Sequence, residues 1–107
     1  MVARVTHVNI NQEDLDSSIA LFDESVVPAA EQEAGFMGAL LLVRDDGTCI
    51  AVDLCDTIEN LQANEKNGFY SDQVAKFADK ITGHPTREHY RVAVAKGISG
   101  GPDLLQG

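Results

Sequence analysis

The feature that most constrains this 107-residue chain is the order of its segments, which read β-α-β-β-α-β. An apolar strand-like run spans Val2 to Ile10, and a helical stretch follows from about Gln12 to Ala34. Asn11 is placed to cap that helix, and Glu13, Asp14 and Asp16 put carboxylates in its first turn, where the helix dipole favours them. Leu15, Ile19, Phe22 and Val26 recur at helical spacing and make one apolar stripe. Pro28 is expected to kink or restart the helix near Glu24 to Val27, and Gly35 to end it. Phe36 to Arg44 and Thr48 to Asp56 then read as a hairpin joined by Asp45-Asp46-Gly47.

The rest of the chain reads less evenly. Thr57 can cap a short helix carrying Ile58 and Leu61, which ends near Asn67-Gly68. Ser71 can cap a second one reaching Thr82, with Gly83 and Pro85 as its stop and Phe69-Tyr70 at the elbow. Glu88 to Lys96 is expected as the last strand, and 97–107, rich in glycine, as a flexible tail outside a domain of residues 1–96. Split βαβ units in this order predict an α+β fold, a ferredoxin-like sandwich with a four-stranded antiparallel sheet and helices on one face.

The central hairpin adds a second expectation. Leu40, Leu41, Leu42 and Val43 are consecutive, so both faces of that strand are apolar. A sheet covered on one side only should alternate polar with apolar. No element is left over to cover the second face, which points to another copy of the chain packed sheet against sheet.

Charge and cysteines narrow the partners. With 17 acidic residues against 8 basic ones the net charge is −9, which disfavours nucleic acid and anionic membrane surfaces. No apolar run reaches the length of a membrane span, and no signal peptide is seen. Cys49 and Cys55 sit on one face of the same strand, roughly 20 Å apart, beyond disulfide reach or a shared metal. Free thiols of this kind fit a reducing cytoplasm.

Taken together, ARVTHV, SVVPAAEQEAGF, GALLLV, DLCDTIENL, GFYSDQVAKFADKITG and YRVAVA resemble, in order and spacing, the antibiotic-biosynthesis-monooxygenase-like members of the dimeric α/β-barrel superfamily. The resemblance runs from about Val2 to Ala95. It implies a homodimer whose two sheets form a barrel, with pockets between sheet and helices. Members include cofactor-free oxygenases of aromatic polyketides, haem degraders, and isomerising or fragmenting enzymes. The haem-degrading type uses a tryptophan at the end of the third strand and a histidine in the last helix. Here Cys55 stands at the strand end, there is no tryptophan, and Ser71 to Thr82 holds no histidine, so haem is not expected and no cofactor is implied.

Candidate chemistry falls on five residues. His7 can serve as a general base if its strand face, shared with Ala3, Val5 and Asn9, is small because a ligand fills the space; otherwise that face packs against Leu15, Ile19 and Phe22 and His7 is a hydrogen-bonded core or interface histidine. Asp53 is an acid within an apolar strand, either a pocket carboxylate or half of an ion pair with Arg4, Arg91 or Arg44. Asn64, Tyr70 and Tyr90 could bind substrate, the hydroxyls stabilising a developing oxyanion. His84 and His89 are expected to be exposed. Two functions stay open: a small cofactor-independent monooxygenase-like enzyme acting on an aromatic or enolisable carbonyl compound, and a non-catalytic homodimer that binds a small apolar ligand or another protein.

Overall fold

A computed structural model describes residues 1–98. Four strands form one sheet: β1 (Val2–Ile10), β2 (Phe36–Val43), β3 (Thr48–Cys55) and β4 (Ile81–Arg91). Their spatial order is β2-β3-β1-β4, and all neighbours are antiparallel. Four helices, α1 (Leu15–Leu21), α2 (Val27–Glu31), α3 (Ile58–Lys66) and α4 (Phe69–Ala75), complete the α+β ferredoxin-like fold.

The first helical stretch is continuous but not uniform. Between α1 and α2 lies a π-helical turn, Phe22–Val26. Pro28 sits at the start of α2, where its missing N–H is least damaging, and the wider turn before it absorbs the change in bonding. Asn11 does not cap with its side chain. Its Oδ1 accepts instead from Thr82 Oγ1 at 2.7 Å, and its backbone N–H donates to the Lys80 carbonyl at 2.8 Å, tying the end of β1 to the start of β4.

The hairpin turn is as tight as Asp45-Asp46-Gly47 implies. Gly47 N–H donates to the Arg44 carbonyl and Thr48 N–H to Asp46 Oδ1, both at 2.9 Å. Gly47 has φ +96°, and a Cβ there would overlap the Ile10 carbonyl oxygen. Only glycine fits.

The C-terminal third departs from the sequence reading. Thr57 does cap α3, accepting from Asn60 N–H at 3.2 Å. However, α4 begins at Phe69, so Ser71 lies inside it, and it ends at Ala75 rather than Thr82. The last strand is Ile81–Arg91, not 88–96. Gly83 and Pro85 stop no helix; they lie in β4, where the pairing with β1 slips between His7 and Asn9. β4 is an edge strand, so a proline at its irregularity leaves no needed hydrogen bond unmade. Gly83, at φ +77°, supplies the local bend. Most of the expected tail, 97–107, lies outside the described residues.

The helices cover one face of the sheet. That face carries Arg4, Thr6, Val8 and Ile10 of β1, Leu41 of β2, and Cys49, Ala51 and Asp53 of β3. The register places Val5, Val52 and Leu40 in one row of the opposite face, and His7, Ile50 and Leu42 in the next. No helix among the described residues is long and apolar enough to cross a membrane.

Candidate functional site

Between the sheet and helices α1 and α4 lies a half-open cavity of about 90 Å³. Ile19, Phe22, Leu41, Val74 and Phe77 supply apolar wall, and the π-turn carries Phe22 and Val26 into it. Its polar end is built around Arg4, whose side chain is 1% exposed.

Three elements converge on that guanidinium. From β3, directly opposite in the register, Asp53 Oδ2 accepts from Arg4 Nη2. From α3, Asn64 Oδ1 accepts from Nη1 at 2.6 Å and Glu65 Oε2 from the same nitrogen at 3.3 Å. The first turn of α4 brings the Tyr70 ring beneath both Arg4 and Arg87, 4.7 and 4.8 Å from the two guanidinium carbons. The Tyr70 hydroxyl lies 3.4 Å from Thr6 Oγ1. Glu65 also meets His89 Nε2 at 2.7 Å. Burial alone would raise its pKa; the hydrogen bonds from His89 and Arg4, with the charges of His89 and Arg87, outweigh that and hold it below the usual value.

The structure therefore brings three of the five expected residues together. Asp53 is the ion-pair partner of Arg4, and Asp53 and Tyr70 both line the cavity. Asn64 is buried behind Arg4 and holds it. His7 does not look into this cavity: it lies on the opposite face, where Nε2 is 2.9 Å from Glu88 Oε1. Tyr90 shares that outer face, its hydroxyl donating to Glu88 Oε2 at 3.0 Å; this contact and the Glu88 charge push the phenol's pKa up. The face packed on Leu15, Ile19 and Phe22 is thus that of Val8 and Ile10, not of His7.

Sequence reasoning missed Glu65, Arg87 and His89. His89 is exposed, as expected, but its ring reaches Glu65 because it faces Arg4 across the β1–β4 pair. Ser18 and Gln73, which line the cavity, were also missed; their buried Oγ and Oε1 have no hydrogen-bond partner among the described residues. The helically spaced stripe through Leu15, Ile19 and Phe22 flanks Ser18, the one signal that it faces inward.

This fold is that of the antibiotic-biosynthesis-monooxygenase-like proteins. The chain superposes on a protein of unknown function from Nitrosomonas europaea with TM-score 0.71 and 20% identity, over 92% of this chain and 95% of that one. A candidate antibiotic biosynthesis monooxygenase from Deinococcus radiodurans gives 0.71 and 16%, over 94% and 100%. The haem degrader MhuD from Mycobacterium tuberculosis, with two haems in its active site, gives 0.68 and 21%, over 91% and 100%. No family model matches the sequence, and no curated protein matches it.

This cavity does not fit a haem. At about 90 Å³ it is well below the roughly 300–1,000 Å³ of pockets for ligands of that class. Among residue types that bind haem iron, its wall offers only Cys49 and Tyr70. Burial, with a smaller push from Asp46, raises the Cys49 thiol's pKa, so the thiolate a metal needs is disfavoured. Tyr70 is occupied by Thr6 and two guanidiniums.

Proposed function

We propose that this chain is a small cofactor-independent monooxygenase-like enzyme acting on a small enolisable carbonyl compound in the sheet–helix cavity, and that it works as a homodimer. The observation that carries the reading is the pairing of Asp53 and Tyr70 at the polar end of an otherwise apolar cavity. Asp53 would accept a proton from the carbon beside the carbonyl, and the Tyr70 hydroxyl would donate to the enolate oxygen as charge develops there. Arg4 and Arg87, over the Tyr70 ring, add positive potential at that end. Asn64 would act through Arg4. Dioxygen would then oxidise the carbanion: the CH₂ carbon becomes C=O, and the second oxygen atom leaves as water with the two hydrogens. The cavity volume favours a small acyl compound over a fused aromatic.

The test is oxygen consumption with pentane-2,4-dione, for which the trione and water are the balanced products. Turnover is expected, and Asp53→Asn should lower kcat by about 10²-fold or more. The second reading, a non-catalytic homodimer that binds a small ligand, is favoured by one feature: Arg4 already engages the Asp53 carboxylate. Amide shifts at cavity residues without oxygen uptake would select it. Neither binding nor uptake would sink both.

The dimer reading rests on exposed apolar side chains of the uncovered sheet face, among them Leu40, Leu42 and Tyr90. On that face His7 and Tyr90 would serve the contact through Glu88 rather than catalysis. We also place the protein in the reducing cytoplasm, since Cys49 and Cys55 are both free and buried. Titration of denatured protein prepared without reductant should find two thiols per chain. Finding none would remove that assignment.

A further inference from the structure

The sheet face opposite the helices carries almost no charge, in a chain whose net charge is −9. One row of that face runs Leu40, Val52, Val5 and Glu88, and the rows on either side bring His7 and Tyr90 next to the carboxylate. Glu88 is the one acid in these three rows. Its Oε1 lies 2.9 Å from His7 Nε2, and its Oε2 accepts from the Tyr90 hydroxyl at 3.0 Å. Arg44 and His84, both basic, line one hollow with His7. Arg44 stands on β2, three strands from Glu88 and so about 14 Å across the sheet, too far to neutralise it. The described helices all lie on the other face and bring no further charge to His7. Depletion of charge marks the core of an interface, and an apolar, acid-poor face suits a second copy of a chain whose acids lie elsewhere.

In the free chain this cluster contributes little. The His7 and Glu88 side chains are 47% and 50% exposed, and water screens a pair so open. Covering the face changes that. A neutral imidazole can donate to Glu88 through one nitrogen, but only the protonated ring cancels the carboxylate's charge. Tyr90, whose pKa the Glu88 hydrogen bond and charge push up, stays a neutral donor. With neutral His7, each copy therefore carries an uncompensated carboxylate into an apolar contact, and a two-fold axis doubles the cost. We infer that this face is a pH-gated interface between two copies of the chain, closed by protonation of His7 against Glu88. This rests on the sheet-to-sheet dimer reading and adds its regulation. Because the dimer favours the protonated ring, association is strongest below the range in which histidine titrates and weakens as pH rises through it.

Sedimentation equilibrium of the full chain at about pH 5.5 and about pH 8, at one ionic strength, reads the gate. The dimer Kd should be at least ~10-fold lower at the acid value, the effect of one pKa unit of linkage. His7→Gln should still dimerise, with a Kd that changes less than about threefold between the two. Glu88→Gln removes the charge itself, so at the alkaline value it should associate as tightly as the parent does in acid, a gain that a merely structural pair would not give. His84→Gln should keep the parent's pH dependence. The three side chains are exposed, so the variants fold as the parent does. A flat parent Kd, or a Glu88→Gln dimer weaker than the parent's at the alkaline value, would overturn the gate and leave the dimer standing. So would a pH dependence that His84→Gln flattens and His7→Gln does not. A parent that is monomeric at both values takes the gate and the dimer reading down together.

Discussion

Arg4 is the residue on which most of the site depends. Its guanidinium is buried, yet it stands between carboxylates from two different elements, Asp53 and Glu65, with Asn64 filling a further donor. Removing one member of such a group costs more than forming it gains, because the remaining charges stay desolvated. Arg4→Met should therefore destabilise the fold by roughly 3–5 kcal/mol in urea unfolding at pH 7, with Asp53 and Glu65 left uncompensated. Glu65 gives this cluster a defined pH dependence. Its folded pKa lies below its ordinary value of 4.5, so its contribution is fully present above that value and is lost as pH falls through the lower, folded one. Thermal melts from pH 5 downward should show Tm falling, and Glu65→Gln should flatten the fall. An unchanged slope in Glu65→Gln would mean that other carboxylates carry it.

Elements with local signals of their own were legible in the sequence, and those fixed by distant pairing were not. β1 spans Val2–Ile10 as expected, and β2 and β3 each end one residue short of their expected limits. The Asp45-Asp46-Gly47 turn and the Thr57 cap carry their geometry in three or four residues. β4 does not. Gly83 and Pro85 break local regularity, and by local rules they separate a helix from a later strand. What holds them in a strand is β1, about seventy-five residues earlier, whose register with β4 slips where the two residues sit. The same limit applied to the site. An ion pair for Asp53 was legible because a lone acid in an apolar strand needs one, but the choice among Arg4, Arg91 and Arg44 was not, since the β1–β3 pairing that selects Arg4 joins strands far apart in sequence. Strand alternation divided β1 correctly into two faces, yet both faces carry apolar residues, and alternation alone does not say which meets the helices. His7 and Tyr90 were therefore expected at the wrong side of the sheet, and Ser18 and Gln73, on helices far apart in sequence, left almost no trace.

At the scale of the whole molecule, the decisive feature is a sheet that the described residues cover on one face only. The shortest dimension is 22 Å, about what one sheet and one helix layer occupy. The bare side presents Leu42, 51% exposed, across from Ile50 and beside the His7–Glu88 pair, with Leu40 and Tyr90 nearby. A net charge of −9 opposes self-association in general, so any dimer must be held by this apolar area rather than by charge. Two neighbouring leucines separate the possibilities. Leu42 faces outward, and Leu42→Lys should leave the fold intact while sedimentation equilibrium at micromolar concentration shifts from dimer to monomer. Leu41 faces the cavity, and Leu41→Lys should cost stability outright, since a lysine there has no partner among apolar walls. A parent protein that sediments as a well-folded monomer would refute the sheet-to-sheet dimer. A Leu42→Lys variant that stays dimeric would move the contact to another surface and free the His7 face for a different role.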